Sequence, residues 1–578
     1  MGKVIAVCTS ETKGIQKTEA PQIELQANWG IVGDAHAGAW HRQVSLLSHE
    51  KIEGFKALGA NVASGAFGEN IVVEGFDLKS LPIGTRFRIF GADGNEDPAC
   101  ACACACACAG AGTGAAHAKP IELELTQIGK ECHAHCAIYH EMGDCIMPRE
   151  GVFCRVTAGG TVRPGDTIEV VPQPYFDNAA TTQIRSEVVA AMMPYLTGEY
   201  GNPSSIYGLG QRASDAVADA RAAIAGVLNA SPQEIHFTSG GSEADNWAVK
   251  GAAHAAAARG EGRHVITSAI EHHAVLHACQ ALEREGFEVT YLPVDGDGLV
   301  CVEDFEAAIR PDTVLATIMF ANNEIGTVEP IAELAKTAHR HGVAFHTDAV
   351  QAFCHEDIDV EALGVDMLSA SAHKLYGPKG VGLLYIRKGV RVENLIDGGL
   401  QERGRRAGTE NVAGIVGFGE AVRLASAERA AQHARQTELR DHAISRILSE
   451  IPHARLNGSR TRRLPGNVNV SFEFVEGEGM ILQMAARGIS ISSGSACTSG
   501  SLDPSHVLLA IGLPHEVAHG SVRMTLGRLT TREDVDRAVD SLAATVNLLR
   551  QMSPLYEDYR HGKVASLIDH EKEGGSLK

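Results

Sequence analysis

The chain has 578 residues, 44% of them hydrophobic, with 51 Lys and Arg against 71 Asp and Glu. That length accommodates about three or four domains of ordinary size. The net charge of −20 argues against a direct nucleic-acid partner, and no unbroken apolar run is long enough to span a membrane.

The opening MGKVIAVCTSETKG lacks the basic, apolar, small-residue order of a secretory signal, so a cytoplasmic location is expected. The 14 cysteines are too clustered for a disulfide framework and read as chemistry or as accident. Residues 1–172 are rich in Gly and carry short β-type runs, KVIAVCTS, RQVSLLS, ENIVVEG, TRFRIFG, IELELTQIG and DTIEVV, separated by turn signals. The one good helical pattern lies around HEKIEGFKALG, and the whole predicts a mostly antiparallel, barrel-like β domain.

Three blocks of this segment, GDAHAGAWHRQVSLLSHE, GAFGENIVVEGFDLKSLPIGTRFRI and IGKECHAHCAIYHEMGDCIMPREGVFCRV with GGTVRPGDTI, resemble the MOSC family, named for the C-terminal domain of molybdenum cofactor sulfurases. The resemblance implies that a Cys in the last block holds sulfur or the molybdenum cofactor, and Cys132 is the matching position. On the residues alone, Cys132, Cys136, Cys145 and Cys154 could equally be buried small side chains, or CHAHC a metal clip. One feature departs from the family. Residues 93–118 form an insertion in which Cys100, Cys102, Cys104, Cys106 and Cys108 alternate with Ala. It is too small to pack a core and reads as a mobile loop. Extended, it would put five thiols on one face, as a persulfide relay or soft-metal strip. A slipped repeat in a tolerant loop is the other reading.

VVPQPYFDNAATT marks a boundary, with Pro172 and Pro174 interrupting the earlier pattern. Strands and helices then alternate: EIHFTSG into a helix from Ser242, HVITSAI into HHAVLHACQALEREG, TVLATIMF into PIAELAKTAHRHG, then AFHTDAV and MLSASAH. Such alternation predicts a parallel or mixed sheet covered on both faces, with binding residues at the C-terminal strand ends. The candidates fall there. Gly240 and Gly241 let backbone N–H groups approach a phosphate at a helix start, which Ser242 can cap. His272 is flat enough to stack on a pyridine ring, and Asn323 is a neutral donor for a ring oxygen. An acid near a ring nitrogen, Asp348 with Gln351 behind it, and the amine of Lys374 are the two parts a pyridoxal phosphate (PLP) site needs.

The ordered blocks DNAATT, GNPSS, FTSGGSEADN, EHHAVL, NNEIGT, HTDAVQ, SASAHKLYGPKG, GGLQERGRRAGTEN and SSGSACTSG resemble the cysteine desulfurases of the NifS/IscS class, fold-type I PLP enzymes. The resemblance runs from Tyr175 to about residue 560. It implies a large mixed-sheet domain at about 190–430 and a small α+β domain at about 431–560; the residues beyond, 561–578, are polar and read as a frayed tail. It also implies Lys374 as the Schiff-base lysine, Asp348 on the pyridinium nitrogen, Gln351 near the phenolic oxygen and His272 stacked on the ring. Gly241, Ser242, Ser371 and His373 would surround the phosphate, and Thr409 would reach the phosphate of the other subunit of a homodimer. Ser242 and Ala372 replace the commoner Thr and Gly. Asn178, Asn323 and Arg523 would bind substrate, Arg523 as a bidentate partner for a carboxylate.

Cys497 decides among PLP reactions. It sits in ISSGSACTSGS, too small and polar a run to pack, as a travelling thiol requires. The expected reaction converts L-cysteine to alanine and leaves a persulfide on Cys497, a thiolate of lowered pKa. With the MOSC segment in front, the expected acceptor is molybdenum cofactor or its carrier enzyme. Eukaryotic molybdenum cofactor sulfurases carry the two halves in the opposite order. A general donor for iron–sulfur clusters or tRNA thiolation, and a selenocysteine lyase, are the alternatives.

Overall fold

The computed structural model describes residues 1–91, 120–130, 137–493 and 504–572. The chain divides into two compact units, Met1–Pro174 with Ala486–Gly488, and Tyr175–Ala485 with Ile489–Lys578. Cys132, the Cys100–Cys108 run and Cys497 lie outside the described residues.

In the first unit, seven strands close on themselves: β1 (Gly2–Thr9), β2 (Val44–Ser48), β3 (Ile71–Glu74), β4 (Arg86–Phe90), β5 (Ile121–Ile128), β6 (Val152–Ala158) and β7 (Thr167–Val171). The order is β7-β4-β5-β6-β2-β3-β1, and β1 pairs back to β7 through Gly2 and Ile168. Every pairing around the ring is antiparallel except β2–β3. Alternate residues fill the barrel: β4 buries Phe87 and Ile89, and β5 buries Ile121, Leu123 and Leu125. Closure removes the exposed edges that such short strands would otherwise present.

The GDAHAG loop is pinned by its acid. Asp34 accepts hydrogen bonds from Lys17 Nζ at 2.5 Å, Asn70 Nδ2 at 3.1 Å, and the backbone N–H groups of Ser10 and His36. Burial opposes its charge, yet these donors hold its carboxyl well below the usual range. Helix α1 (His49–Ala57) matches the helical pattern, and two short helices, Ala137–Met142 and Met147–Glu150, were not legible in it. Cys145 and Cys154 are buried, and burial pushes the Cys154 thiol far up. These two follow the small-core-residue reading. Among the described residues no group of three His, Cys, Asp or Glu stands ready for a metal ion.

The second unit is built on a seven-stranded sheet: β8 (Ile235–Thr238), β9 (His264–Ser268), β10 (Glu288–Leu292), β11 (Thr313–Thr317), β12 (Ala344–Asp348), β13 (Met367–Ser371) and β14 (Gly382–Ile386). Its order is β8-β14-β13-β12-β11-β9-β10, parallel from β13 to β10 and antiparallel at β14 and β8. Both faces are buried, so neighbouring residues join different cores. Val265, Leu315, Met367 and Leu384 pack with helices α2 (Gly241–Ala258) and α3 (His273–Arg284). Ile266, Ala316, Leu368 and Leu383 join the opposite cluster.

A helix of 39 residues, α4 (Val412–Glu450), crosses the expected boundary between the large and small domains at about residue 431. Its first half, with Ile415 and Phe418, belongs to the large core. Its second half, with Leu439, Ile444 and Ile447, belongs to the core of a three-stranded sheet formed by β15 (Ala454–Leu456), β16 (Asn467–Phe472) and β17 (Ser521–Thr525). Phe176, just past the junction, is fully buried in that same small core.

The tail corrects an expectation. A short helix, α5 (His506–Ala510), carries Val507 and Leu508 into a satellite core with Ile270. Rather than fraying, Leu567–Lys572 forms helix α6, and its Ile568 is fully buried in that core. Ser566 and Leu567 also donate to the Glu473 carboxylate. A single apolar residue anchors a segment that is otherwise polar. No helix among the described residues is long and apolar enough to cross a membrane.

Candidate active site

The C-terminal ends of β9, β11, β12 and β13 meet at a cavity of about 360 Å³. That size lies within the roughly 300–1,000 Å³ range of small-molecule sites. Gly241, Ser242, His272, Asn323, Asp348, Gln351, Ser371, His373, Lys374 and Arg523 all line it. Ten of the residues singled out in the sequence therefore share one wall.

At one end, α2 points its N-terminus into the cavity. The cap residue is Gly240, and Ser242 stands inside the first turn, which corrects the expectation that Ser242 caps the helix. A Cβ on Gly241 would fall 2.7 Å from Val350 Cγ2, so only glycine lets this turn approach strand β12's exit. Free N–H groups, the dipole of an 18-residue helix, and the Ser242 and Ser371 hydroxyls suit a phosphate.

Lys374 follows β13 in a single helical turn, and its Nζ donates to the carbonyls of Ala179 at 2.6 Å and Ala180 at 2.8 Å. Gln351 Nε2 donates to the same Ala179 carbonyl at 3.0 Å. Asp348 ends β12, is 5% exposed, and accepts from Val350 N–H at 2.9 Å. Burial raises its carboxyl to about 6, with the Lys374 charge acting against the rise. His272 caps α3 through Nδ1, which accepts from Ala274 N–H at 3.1 Å. Burial, and then the Lys374 charge, lower His272 to about 4, and the same causes take His373 to about 4. Both imidazoles are neutral at neutral pH.

Arg523 on β17 reaches the cavity from the small sheet. Its guanidinium is 2% exposed and donates to Asn323 O and Asp177 Oδ1, both at 2.8 Å. Asn323 therefore contributes its backbone carbonyl, while the adjacent Asn322 is a structural residue bonded to Ile270 O. Two expected residues are placed apart. Asn178 donates to Tyr175 O and Thr525 O and lines a smaller cavity on the other side of Lys374. Thr409 is exposed between Arg406, which pairs with Glu243, and the start of α4.

Sequence reasoning missed five titratable residues of this wall: Asp245, Glu271, His273, Glu324 and His506. Glu271 directly precedes His272 and was readable as the acid of E-H-H. Its Oε1 accepts from Ser268 Oγ and Met319 N–H, its Oε2 has no partner, and burial raises it to about 8. An acid raised in the fold contributes stability that is complete below its unfolded value near 4.5 and is lost as pH rises through about 8. Glu271→Gln keeps the shape without the proton. The unfolding free energy of the cofactor-free protein should therefore fall less steeply across that window in the variant. Each tenfold difference in proton affinity between folded and unfolded states is worth about 1.4 kcal/mol. Denaturant melts at several pH values measure both slopes, and parallel slopes for the two proteins would contradict this.

A phosphate cradle that tolerates no Cβ, a buried acid, flat neutral imidazoles and a lysine on one wall fit PLP. The family comparisons agree. The Aminotransferase class-V model matches residues 174–538 and the MOSC domain model residues 33–169. "Cysteine desulfurase IscS" of Methanosarcina thermophila is 55% identical over 387 residues, covering 67% of this chain and 95% of its own. Its counterpart in Clostridium botulinum strain Hall is 53% identical over 393 residues, 68% of this chain and 98% of its own. Among solved structures, a NifS-like protein superimposes with a TM-score of 0.61 at 37% identity, over 65% of this chain and all of its own. SspA in complex with cysteine gives 0.55 at 41% identity, over 61% and 98%. The chain belongs to the PLP-dependent cysteine desulfurases of the class-V aminotransferase family and carries a MOSC domain ahead of them.

Proposed function

We propose that the chain takes sulfur from L-cysteine onto Cys497, releases alanine, and delivers the sulfur to molybdenum cofactor bound by or near its MOSC domain. The observation that carries the first part is the wall on which Lys374, Asp348, His272 and Arg523 converge. The solved cysteine complex of the similar SspA supports the substrate.

Bound PLP supplies an electron sink for the Cα of an amino acid. Lys374 then serves as the group that holds the cofactor and takes the Cα proton, its amine leaving the Ala179 and Ala180 carbonyls. Asp348 would supply negative charge to the ring nitrogen of bound PLP, and Gln351 a donor for its ring oxygen. Neutral His272 would stack on the ring and move a proton without bringing a second cation beside Lys374. Arg523, prealigned by Asp177, holds the substrate carboxylate. Cys497 thiolate attacks the substrate sulfur, so that an S–S bond forms as the C–S bond breaks, and the carbon fragment leaves as alanine. The described residues on either side of 494–503 lie beside this wall. Ser492 exchanges backbone hydrogen bonds with Arg523, and Ser505 Oγ donates to Glu324 at 2.5 Å.

Arg523→Lys removes the planar fork while keeping the charge. A hydrogen bond to a charged group is worth about 1.5–3 kcal/mol, so KM for cysteine should rise about tenfold or more with a smaller change in kcat. Steady-state alanine release measures both, and an unchanged KM would remove Arg523 from the substrate site.

A homodimer fits the exposed apolar side chains of the second unit, with Ile206 100%, Leu400 86% and Tyr200 73% exposed. Thr409 would then serve the partner's phosphate site. For the acceptor, the support is the MOSC match and the covalent link through Pro172 and Pro174. Tethering brings one thiol to about millimolar effective concentration near another when the linker is short. Labelled cysteine, followed by persulfide mapping in wild type, Cys132→Ser and a form lacking Cys100 to Cys108, tests the route. Label on Cys132, and cofactor sulfuration lost in Cys132→Ser, are expected. Label confined to Cys497 with sulfuration intact in all three would mean direct delivery.

A further inference from the structure

A column of polar groups surrounds Asp348 on β12, and apart from Asp348 none of them takes part in the reaction scheme. On the sheet face turned toward α2, most side chains are apolar, Val265, Leu315, Met367 and Leu384 among them. Strand β12 instead presents His346 and Asp348 there. Their register partners on the flanking strands are Thr317 and Ser369. His346 Nδ1 lies 2.8 Å from Thr317 Oγ1, and its Nε2 lies 3.0 Å from Ser369 Oγ. Asp245 of α2 closes the column from above. Its Oδ1 stands 3.9 Å from His346 Nε2, and the Ser369 hydroxyl is close enough to act on its carboxyl. Asp245 is 1% exposed, and Oδ1 has no hydrogen-bond partner.

Four buried carboxyls, Asp245, Asp348, Glu271 and Glu324, thus face one cavity. Burial raises Glu271 to about 8 and Glu324 to about 7, and Glu324 also accepts from Ser505 Oγ, away from the β12 column. Lys374 is the cation acting on Asp348, and Arg523 is already paired with Asp177. Burial holds His346 at about 3 and His272 at about 4, so neither imidazole supplies positive charge. An ionised Asp245 would leave a buried oxygen without a protein donor beside a second anion, which is costly; the neutral acid leaves no such charge. Burial first, and the Asp348 charge next, push Asp245 well above the ordinary carboxyl range.

We propose that Asp245 is a positioning residue that keeps its proton, so that the one negative charge in that column rests on Asp348. Neutral His346, Ser369 and protonated Asp245 then form an uncharged scaffold that fixes the Asp348 carboxylate without competing for the ring-nitrogen proton. The inference rests on Asp348 being the partner of that nitrogen.

The test uses the full chain. In the cofactor-free protein at neutral pH, the wild-type minus Asp245→Asn infrared difference should show the loss of one carboxylic-acid C=O band. In the PLP-loaded protein, Asp245→Ala should weaken PLP binding about tenfold or more, and Asp245→Asn should restore it with the wild-type pH midpoint of cofactor absorbance. If the infrared band persists in Asp245→Asn, or that variant binds PLP no better than Asp245→Ala, the proposal is overturned. Should the variants not fold, wild-type protein carrying carbon-13 at aspartate carboxyls decides it. One protonated aspartate signal at about pH 8 is expected, where Asp348 is ionised, and its absence rejects the proposal. Asp348→Asn separates the two readings. An unaltered cofactor spectrum in that variant rejects the ring-nitrogen assignment, while the infrared band still reports on Asp245.

Discussion

Lys374→Ala is expected to abolish alanine formation, and borohydride reduction should fix PLP to the Lys374 peptide of wild type and to no peptide of the variant. The loss should reach at least about 10⁴-fold, because one side chain supplies both the covalent hold and the proton transfer, and general-base catalysis alone contributes about 10²–10⁴. The fold should survive. Lys374 Nζ satisfies the carbonyls of Ala179 and Ala180, and leaving such groups unpaired costs about 1–3 kcal/mol, less if water enters the cavity. The alanine assay and a melting curve on one preparation separate the effects. Wild-type turnover in the variant would move the base elsewhere.

Much of this site was legible because its parts lie at strand ends, where short apolar runs stop at residues with chemistry. AFHTD, MLSAS and HVITS read as strands, and Asp348, Ser371, Lys374 and His272 follow from where those runs end. Asp245 was not legible. An acid in the second turn of a helix ordinarily faces water, and its burial arises only when α2 lies across β12 and β13. Glu271 was hidden for a related reason, since its partners Ser268 and Met319 come from two different strand exits. Six of the barrel's seven strands were visible, Val152–Ala158 being the exception, and its closure depends on Gly2 meeting Ile168, a pairing across nearly the whole unit that no local pattern encodes. Helix α4 was not legible as one element spanning the domain boundary, because its apolar face changes partner midway, from the large core to the small one. Ile568 shows the limit of composition, where one buried side chain outweighs its polar neighbours.

Cys497→Ser should bind PLP and cysteine as wild type does, yet form almost no persulfide and little alanine. A hydroxyl is a far weaker nucleophile toward divalent sulfur, and the C–S bond breaks only when an acceptor takes the sulfur. Removing the nucleophile of a covalent mechanism costs several orders of magnitude, about 10³–10⁶ in kcat. Neither binding nor folding should change, since the surrounding run of Ser, Gly and Thr contributes no core residue in sequence. Alanine release at the wild-type rate would show that another thiol, or none, accepts the sulfur.

The position of the sulfur atom after one turnover decides whether Cys497 is the acceptor. The PLP-loaded chain would be mixed with isotopically labelled cysteine in less than stoichiometric amount, alkylated at once, and its peptides weighed. One labelled sulfur is expected on the Cys497 peptide for each alanine released, before label is found on any other cysteine. Label appearing first on another cysteine, or released as sulfide with the Cys497 peptide unlabelled, would contradict the mechanism.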